Sequence, residues 1–370
     1  MSGISIILGT RPEIIKMSPV IRECKRLGLS FFILHTGQHY SYNMDKAFFE
    51  QLNLPQPTYN LAVGSGTQAE ETGKMMIGIE NVLRAEKPKV VLIEGDTNTV
   101  LAGAIAASKL LIRVGHVEAG LRSYDRTMPE EINRILTDHV SDYLFTPTQQ
   151  AKRNLLSEGI SKEKIFVTGN TIVDAVQQNL DLANKTKILE NLGLSKDNYI
   201  LLTLHRQENV DNEAKLEEIL RGLKLVDDAL SKPIIWPIHP RASKRIEEYG
   251  LQLGEWIIVV PPLDYLRFLK LESQASLVLT DSGGVQEEAC LLRVPCVTLR
   301  ENTERPETLE IGSNALAGFR PEIILEKSLS MIRAERDWQN PYGDGRAAER
   351  IIQILTETLH LKHIMHGVGS

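Results

Sequence analysis

Apolar runs of four to six residues alternate with longer amphipathic segments from one end of the chain to the other. That rhythm restricts the fold more than any other feature. The runs at 4–8, 31–34, 90–94, 112–117, 143–146 and 164–169 are nearly uninterrupted. A strand with one wet face would alternate polar and apolar residues, so these runs read as parallel strands covered on both faces. The segments 12–27, 43–52, 67–86, 98–110, 129–140 and 147–158 read as the helices between them. The rhythm then restarts. Strands are expected at 199–204, 233–236, 256–260, 276–280 and 295–299, with helices at 213–230, 241–249, 264–274, 284–292 and 322–335. Strand–helix–strand alternation defines an α/β protein with parallel sheets. Two series of similar length in 370 residues predict two doubly wound, Rossmann-like domains facing across a cleft. The expected boundaries are 1–183 for the first domain and 184–344 for the second, with the polar stretch 182–198 as the crossing. A final helix at 345–361 is expected to pack back on the first domain.

The polar residues that stand out fall just after strands. Gly9, Thr10 and Arg11 follow the first run, and Gly95 and Asp96 follow 90–94. Glu118 follows 112–117, His205 and Arg206 follow 199–204, His239 follows the run at 233–236, and Asp281 to Gly284 follow 276–280. Open α/β sheets bind ligands outside the carboxyl ends of their strands. A random scatter of surface charge would not keep that phase, so these groups are expected to share one active site.

The densest of these segments is 115–134, GHVEAGLRSYDRTMPEEINR. It carries Glu118, Arg122, Asp125, Arg126, Glu130, Glu131 and Arg134, with Gly115, Gly120 and Pro129 breaking the backbone. Carboxylates interleaved with arginines suit proton transfer beside an anionic ligand. The competing reading is a solvated loop with surface ion pairs. Thr10 to Glu13 read as a capping box, with Thr10 as N-cap and Glu13 reaching back, aiming Arg11 and Lys16 at the ligand. Ser282, Gly283 and Gly284 before a helix suit a diphosphate: glycines admit close backbone approach, and the helix start offers free N–H groups. Glu287 and Glu288 in the first turns could hold ribose hydroxyls. Arg305, in 300–307, could close on a phosphate, or belong to a solvated charge run. His205 and His239 could donate to phosphate or serve as acids; a structural role is the alternative for each. His35 and His39 straddle a glycine and are not read as metal ligands.

Absences narrow the function further. No GxGxxG follows the first strand, so a nicotinamide cofactor is not expected. There is no GxxxxGK[ST], no DxD, and no GxSxG. A formal charge of −6 argues against nucleic-acid partners. Three cysteines without a CxxC pair read as buried thiols of a reducing compartment. Neither a secretory leader nor an apolar stretch of membrane-spanning length is found, so a cytoplasmic protein with no membrane partner is expected.

Seven motifs occur in order: GTRPEIIK, EGDTNTVLAG, HVEAGLRS, MPEEINR, GNTIVDA, DSGGVQEEA and RENTERPE. Together they resemble the non-hydrolysing UDP-N-acetylglucosamine 2-epimerases. The resemblance implies a B-type glycosyltransferase-like fold, UDP-N-acetylglucosamine and UDP as ligands, a homodimer, and neither cofactor nor metal. Carried over by position, it makes Asp96, Glu118 and Glu130 the catalytic carboxylates, with Glu130 rather than Glu131 matching. His205 matches the histidine near the diphosphate. Arg11, Lys16 and Arg134 would line the same site, with Ser282, Gly283 and Gly284 as the diphosphate loop. Glu288 would hold the ribose, Phe268 and the backbone at Leu263 the uracil, and Arg305 would close the pocket. Leu263 stands where relatives can carry Gln, which leaves a main-chain contact only. Gln38 and His39 match a pair that binds a second, activating nucleotide sugar in bacterial members, although the segment after them diverges. The implied reaction expels UDP to a glycal and re-adds it after proton transfer on the other face. Alternatives are a hydrolysing epimerase that releases N-acetylmannosamine, or a glycosyltransferase on the same fold.

Overall fold

The apolar runs form strands that pair only in parallel among the described residues. The computed structural model describes residues 3–37 and 48–361. The chain divides into two compact units, Met1–Gln178 with Tyr342–Ser370, and Asn179–Pro341.

The first unit holds β1 (Ile4–Leu8), β2 (Phe31–His35), β3 (Tyr59–Asn60), β4 (Val90–Glu94), β5 (Arg113–Val117), β6 (Tyr143–Thr146) and β7 (Ile165–Val167). Every residue of β1 and β4 is buried, as expected of central strands covered on both faces. The sheet order is β3-β2-β1-β4-β5-β6-β7. The order reverses between β1 and β4, so the crevice opens at Gly9 and at Glu94 to Asp96. Helix Arg11–Arg26 follows β1 and carries Pro19 in its interior. Proline removes the N–H that would reach the carbonyl four residues back. Ser18 Oγ donates to that carbonyl, Ile15 O, at 2.8 Å, and the helix runs on. The last described helix, Ala347–Leu359, belongs to this unit. Its free N-terminal N–H groups, at Ala347 and Ala348, donate to the buried Asp174 carboxylate at 3.2 and 3.0 Å.

The second unit holds β8 (Ile200–Thr203), β9 (Ile234–Pro237), β10 (Ile257–Val260), β11 (Leu277–Thr280), β12 (Cys296–Thr298) and β13 (Asn314–Leu316). Its order, β10-β9-β8-β11-β12-β13, places the switch between β8 and β11. Those two strands deliver His205 and Asp281. Trp236, Leu202, Leu279 and Val297 lie in the core beside this sheet. Cys24, Cys290 and Cys296 are buried free thiols. Among the described residues no helix is long and apolar enough to cross a membrane.

Several elements differ from the sequence reading, among them the short helices Ile188–Asn191, Gln207–Val210 and Pro306–Glu310. β3 and β13 were not expected, because two or three residues show no periodicity. Helix Thr171–Asn184 was also not expected, and it carries the chain out of the first unit into what read as a polar crossing.

Candidate active site

In the first unit, β4 and β5 end side by side, with Glu94 opposite Val117 in register. Glu118 follows at φ 70°, a left-handed conformation that a glutamate adopts at a cost of roughly 1–3 kcal/mol. Such strain persists only where the surroundings hold it. Here Lys16, from helix Arg11–Arg26, pairs with the Glu118 carboxylate and lies 3.5 Å from Glu94 Oε1. The three side chains are 8, 4 and 2% exposed, so water screens little of this cluster. Burial pushes Glu94 well above the carboxylate range; Lys16 opposes this, and the Glu118 charge adds to it. Glu13 lies close enough to add repulsion. Its own carboxyl is raised to about 7 by burial, despite accepting from Thr97 Oγ1 at 2.6 Å and Gly9 N at 2.6 Å.

The capping box forms only in part. Glu13 turns back as expected, but the Thr10 hydroxyl donates to the Glu13 carboxylate at 3.0 Å and caps no helix N–H. The buried carboxylate is the stronger acceptor and takes the hydroxyl proton. Arg11 stacks on the Phe48 ring, its guanidinium carbon 5.3 Å from the centroid. Gln38 and His39 lie outside the described residues.

The segment after Glu118 is exposed around Tyr124 to Thr127, and elsewhere most of it is held in the interior. Arg122, Glu131 and Arg134 are buried along with Glu118. Glu131 accepts from the backbone N–H of Ser123 and Tyr124 at 3.1 and 2.9 Å, and from Arg134 Nε at 2.8 Å. It therefore shapes the turn. Glu130, one position earlier, is half-buried in the first turn of helix Pro129–Val140. Arg134 Nη1 reaches Asp96 Oδ2 at 2.5 Å, and Asn133 Nδ2 donates to Asp96 O at 2.9 Å. The Gly95–Asp96 turn is thus held from the same helix that carries Glu130.

Beneath this turn lies a cluster that sequence reasoning missed. Asp138, fully buried, accepts from His116 Nδ1 at 2.7 Å, Arg122 Nη1 at 2.8 Å and Gly120 N at 3.1 Å. His116 Nε2 faces Gly95 O at 2.9 Å. Both ring nitrogens of His116 are therefore engaged, one by Asp138 and one by the Gly95 carbonyl. A Cβ at Gly120 would meet Ala151 O at 2.4 Å, and its φ is 85°, so only glycine fits there.

In the second unit, Asp281 organises the strand ends. Its carboxylate accepts from the N–H of His205 at 3.0 Å and of Arg206 at 2.9 Å, and lies 3.0 Å from His205 Nδ1. Burial pushes this carboxyl up, but His205 and the two N–H groups outweigh it and bring it down to about 2. A carboxyl depressed from 3.8 contributes stability that is complete above 3.8 and lost as pH falls through about 2. The contribution is roughly 2–3 kcal/mol. Acid titration followed by circular dichroism is expected to show this loss, and Asp281→Asn to flatten it. An unchanged acid limb in that variant would contradict this role. His205 keeps a side chain 40% exposed and stands 5.8 Å from His239, centroid to centroid. His239 itself is a helix cap: its Nδ1 accepts from Arg241 N at 3.2 Å.

Ser282 is the N-cap of helix Gly283–Leu291. A Cβ at Gly283 would lie 2.5 Å from Glu304 Oε1, whereas at Gly284 it would meet nothing within 4 Å. Gly284 therefore leaves its backbone open to approach. Arg300, Glu304 and Arg305 are buried, so they are not a solvated charge run. Arg305 Nε lies 2.6 Å from Glu287 Oε1, and Glu288, the next residue of the helix, is buried too. Leu263 and Phe268 pack, partly buried, against the core cluster that contains Val285 and Ala289 of the same helix. Glu272, also missed, is fully buried and raised well above the carboxylate range by burial and by Glu288.

Two doubly wound parallel sheets with these strand-end turns belong to the B-type glycosyltransferase-like class of fold. Residues 22–356 match the UDP-N-acetylglucosamine 2-epimerase family, and the chain belongs to it. It is 58% identical over 360 residues to a UDP-N-acetylglucosamine 2-epimerase of Methanocaldococcus jannaschii, covering 95% of this chain and 98% of the relative. A crystal structure of the Methanocaldococcus jannaschii enzyme in complex with UDP-GlcNAc and UDP matches with a TM-score of 0.92 at 57% identity, over 96% of this chain and 99% of that one. A UDP-2,3-diacetamido-2,3-dideoxy-D-glucuronate 2-epimerase of Pseudomonas aeruginosa is 43% identical over 354 residues, covering 95% and 98% of the two chains.

Proposed function

We propose that this chain interconverts UDP-N-acetylglucosamine and UDP-N-acetylmannosamine, retaining the sugar as its UDP ester. The observation that carries this reading is the buried Lys16–Glu94–Glu118 cluster beside the Asp96–Arg134 pair, in a member of this family. The C2 carbon of the substrate bears the acetamido nitrogen and is not alpha to a carbonyl, so its proton is poorly acidic. Expelling UDP solves this. The C1–O bond breaks with its electron pair leaving on UDP, the C2–H pair becomes the C1=C2 bond, and the proton passes to a carboxylate. The products are a glycal and UDP. A second group protonates C2 from the opposite face, and UDP re-adds at C1.

Two faces need two proton-transfer groups. Glu118 or Asp96 abstracts, and Glu130 supports transfer on the other face. Lys16, Arg11, Arg134, His205 and the N–H groups of Ser282, Gly283 and Gly284 offset the charge on the departing diphosphate. Glu288 holds the ribose, Phe268 and the backbone of Leu263 flank the uracil, and Arg305 closes on the ligand. Incubation with UDP-N-acetylglucosamine, followed by anion-exchange separation, is expected to give a mixture of two UDP sugars. Free N-acetylmannosamine with equimolar UDP would replace this reading with hydrolysis. Conversion only of a 2,3-diacetamido uronic substrate would replace the sugar.

The same reading makes the chain a homodimer. Ile132 and Leu136 stand one turn apart on helix Pro129–Val140 at 42 and 45% exposure, and Ile77 on helix Gln68–Glu86 is 65% exposed. Apolar side chains this exposed are used as contacts when a second copy covers them. Sedimentation at twice the chain mass is expected; sedimentation at one chain mass would contradict it.

A further inference from the structure

We propose that Glu94 holds a proton and acts as a neutral hydrogen-bond donor that fixes the Glu118 carboxylate against Lys16. This rests on the reading of Glu118 as a proton-transfer group. Glu94 ends β4, and Glu118 follows the end of the neighbouring β5. Both carboxyls meet the same ammonium: Lys16 Nζ pairs with Glu118 Oε2 and lies 3.5 Å from Glu94 Oε1. Two carboxylate oxygens share a hydrogen bond only with a proton between them. The charges that face Glu94 agree. Lys16 and Glu13 come from helix Arg11–Arg26, Glu118 comes from the end of β5, and no one of the three carboxyls is more than 6% exposed. One ammonium among three buried carboxyls cannot neutralise them all.

Which carboxyl keeps its proton follows from the contacts. Lys16 pairs with Glu118 and lies farther from Glu94, at 3.5 Å. Glu94 Oε1 is buried and accepts no hydrogen bond; the Lys16 ammonium faces it only at 3.5 Å. A buried oxygen without a hydrogen bond is costly on a carboxylate and far cheaper on the carbonyl of a neutral acid. Glu94 therefore carries the proton and Glu118 the charge. The donor and Lys16 together hold the Glu118 carboxylate in one orientation, on a residue already at positive φ. Glu94 is thus a positioning residue. When pH rises enough to remove its proton, a second anion appears beside Glu118 and the clamp fails.

Two variants test this. Glu94→Gln keeps a neutral donor; Glu94→Leu keeps bulk and removes it. Glu94→Leu is expected to lower kcat by ~10²-fold with KM little changed, as misorientation at a reacting centre does. Glu94→Gln is expected to recover most of that loss and to lose the alkaline decline of the wild-type kcat profile. A Glu94→Gln enzyme as slow as Glu94→Leu, or with an unchanged alkaline limb, would overturn the proposal. A second measurement needs no turnover. The infrared difference between wild type and Glu94→Gln at neutral pH is expected to contain the carbonyl band of a protonated carboxylic acid. A carboxylate band in its place would overturn the proposal. Full activity of Glu118→Gln would instead remove the parent reading, whatever the infrared result.

Discussion

Replacing Glu118 with glutamine is expected to lower kcat by about 10²-fold or more, with a much smaller change in KM. Glutamine has the same shape and the same backbone preference, so the strained φ of 70° is no worse for it. It can still accept from Lys16, but it cannot take a proton from C2. Loss of a general base costs typically 10²–10⁴-fold, far above what a displaced hydrogen bond alone costs. Steady-state kinetics, with UDP binding as a control for folding, would measure it. Turnover near the wild-type value would remove Glu118 from proton transfer and shift the role to Asp96.

The largest expected loss of stability lies deeper. Asp138→Ala leaves the buried Arg122 guanidinium and the buried His116 ring without their shared partner. Both side chains are 0–1% exposed, so water cannot replace the carboxylate. Breaking a buried pair in this way costs about 3–5 kcal/mol. Glu158 still holds Arg122 through Nε and Nη2 at 2.7 Å each, which places the cost toward the lower figure. Gly120 N also loses its acceptor. In a unit of this size the midpoint should fall by roughly 6–20 °C. Activity should fall as well, because His116 connects Asp138 to the Gly95 carbonyl and so to the turn bearing Asp96. A melting temperature within a degree of wild type would show that the cluster is not the support described.

The two variants separate chemistry from scaffold. Glu118→Gln should spare the fold and stop the reaction. Asp138→Ala should weaken the fold and slow the reaction through it.

The sheets were legible because central parallel strands are covered on both faces. Runs such as 4–8 and 90–94 are therefore apolar throughout, and the polar residue that ends each run marks the crevice. β3 and β13 were not legible: a strand of two or three residues is defined by its neighbour's hydrogen bonds, not by its own pattern. The burial of Arg122, Glu131 and Arg134 was equally hidden. A carboxylate–arginine mixture reads alike whether it is solvated or paired in the interior, and only the partner at a distance decides. Glu94 escaped notice because it closes an apolar run and looks like the run's end. His116 sits inside a strand, and Asp138 sits 22 residues later, so nothing in one dimension joins them. The capping box failed for a local reason: the carboxylate of Glu13 competes for the Thr10 hydroxyl.

The central claim is that UDP leaves C1 as the C2 proton is removed and returns once C2 is reprotonated, so that both epimers end as UDP esters. Proton NMR of the protein with UDP-N-acetylglucosamine in D₂O tests it most directly. The expected result is a mixture of the gluco and manno UDP sugars with deuterium accumulating at C2 in both. Epimer formed with C2 still fully protonated, or free N-acetylmannosamine in place of its UDP ester, would contradict it.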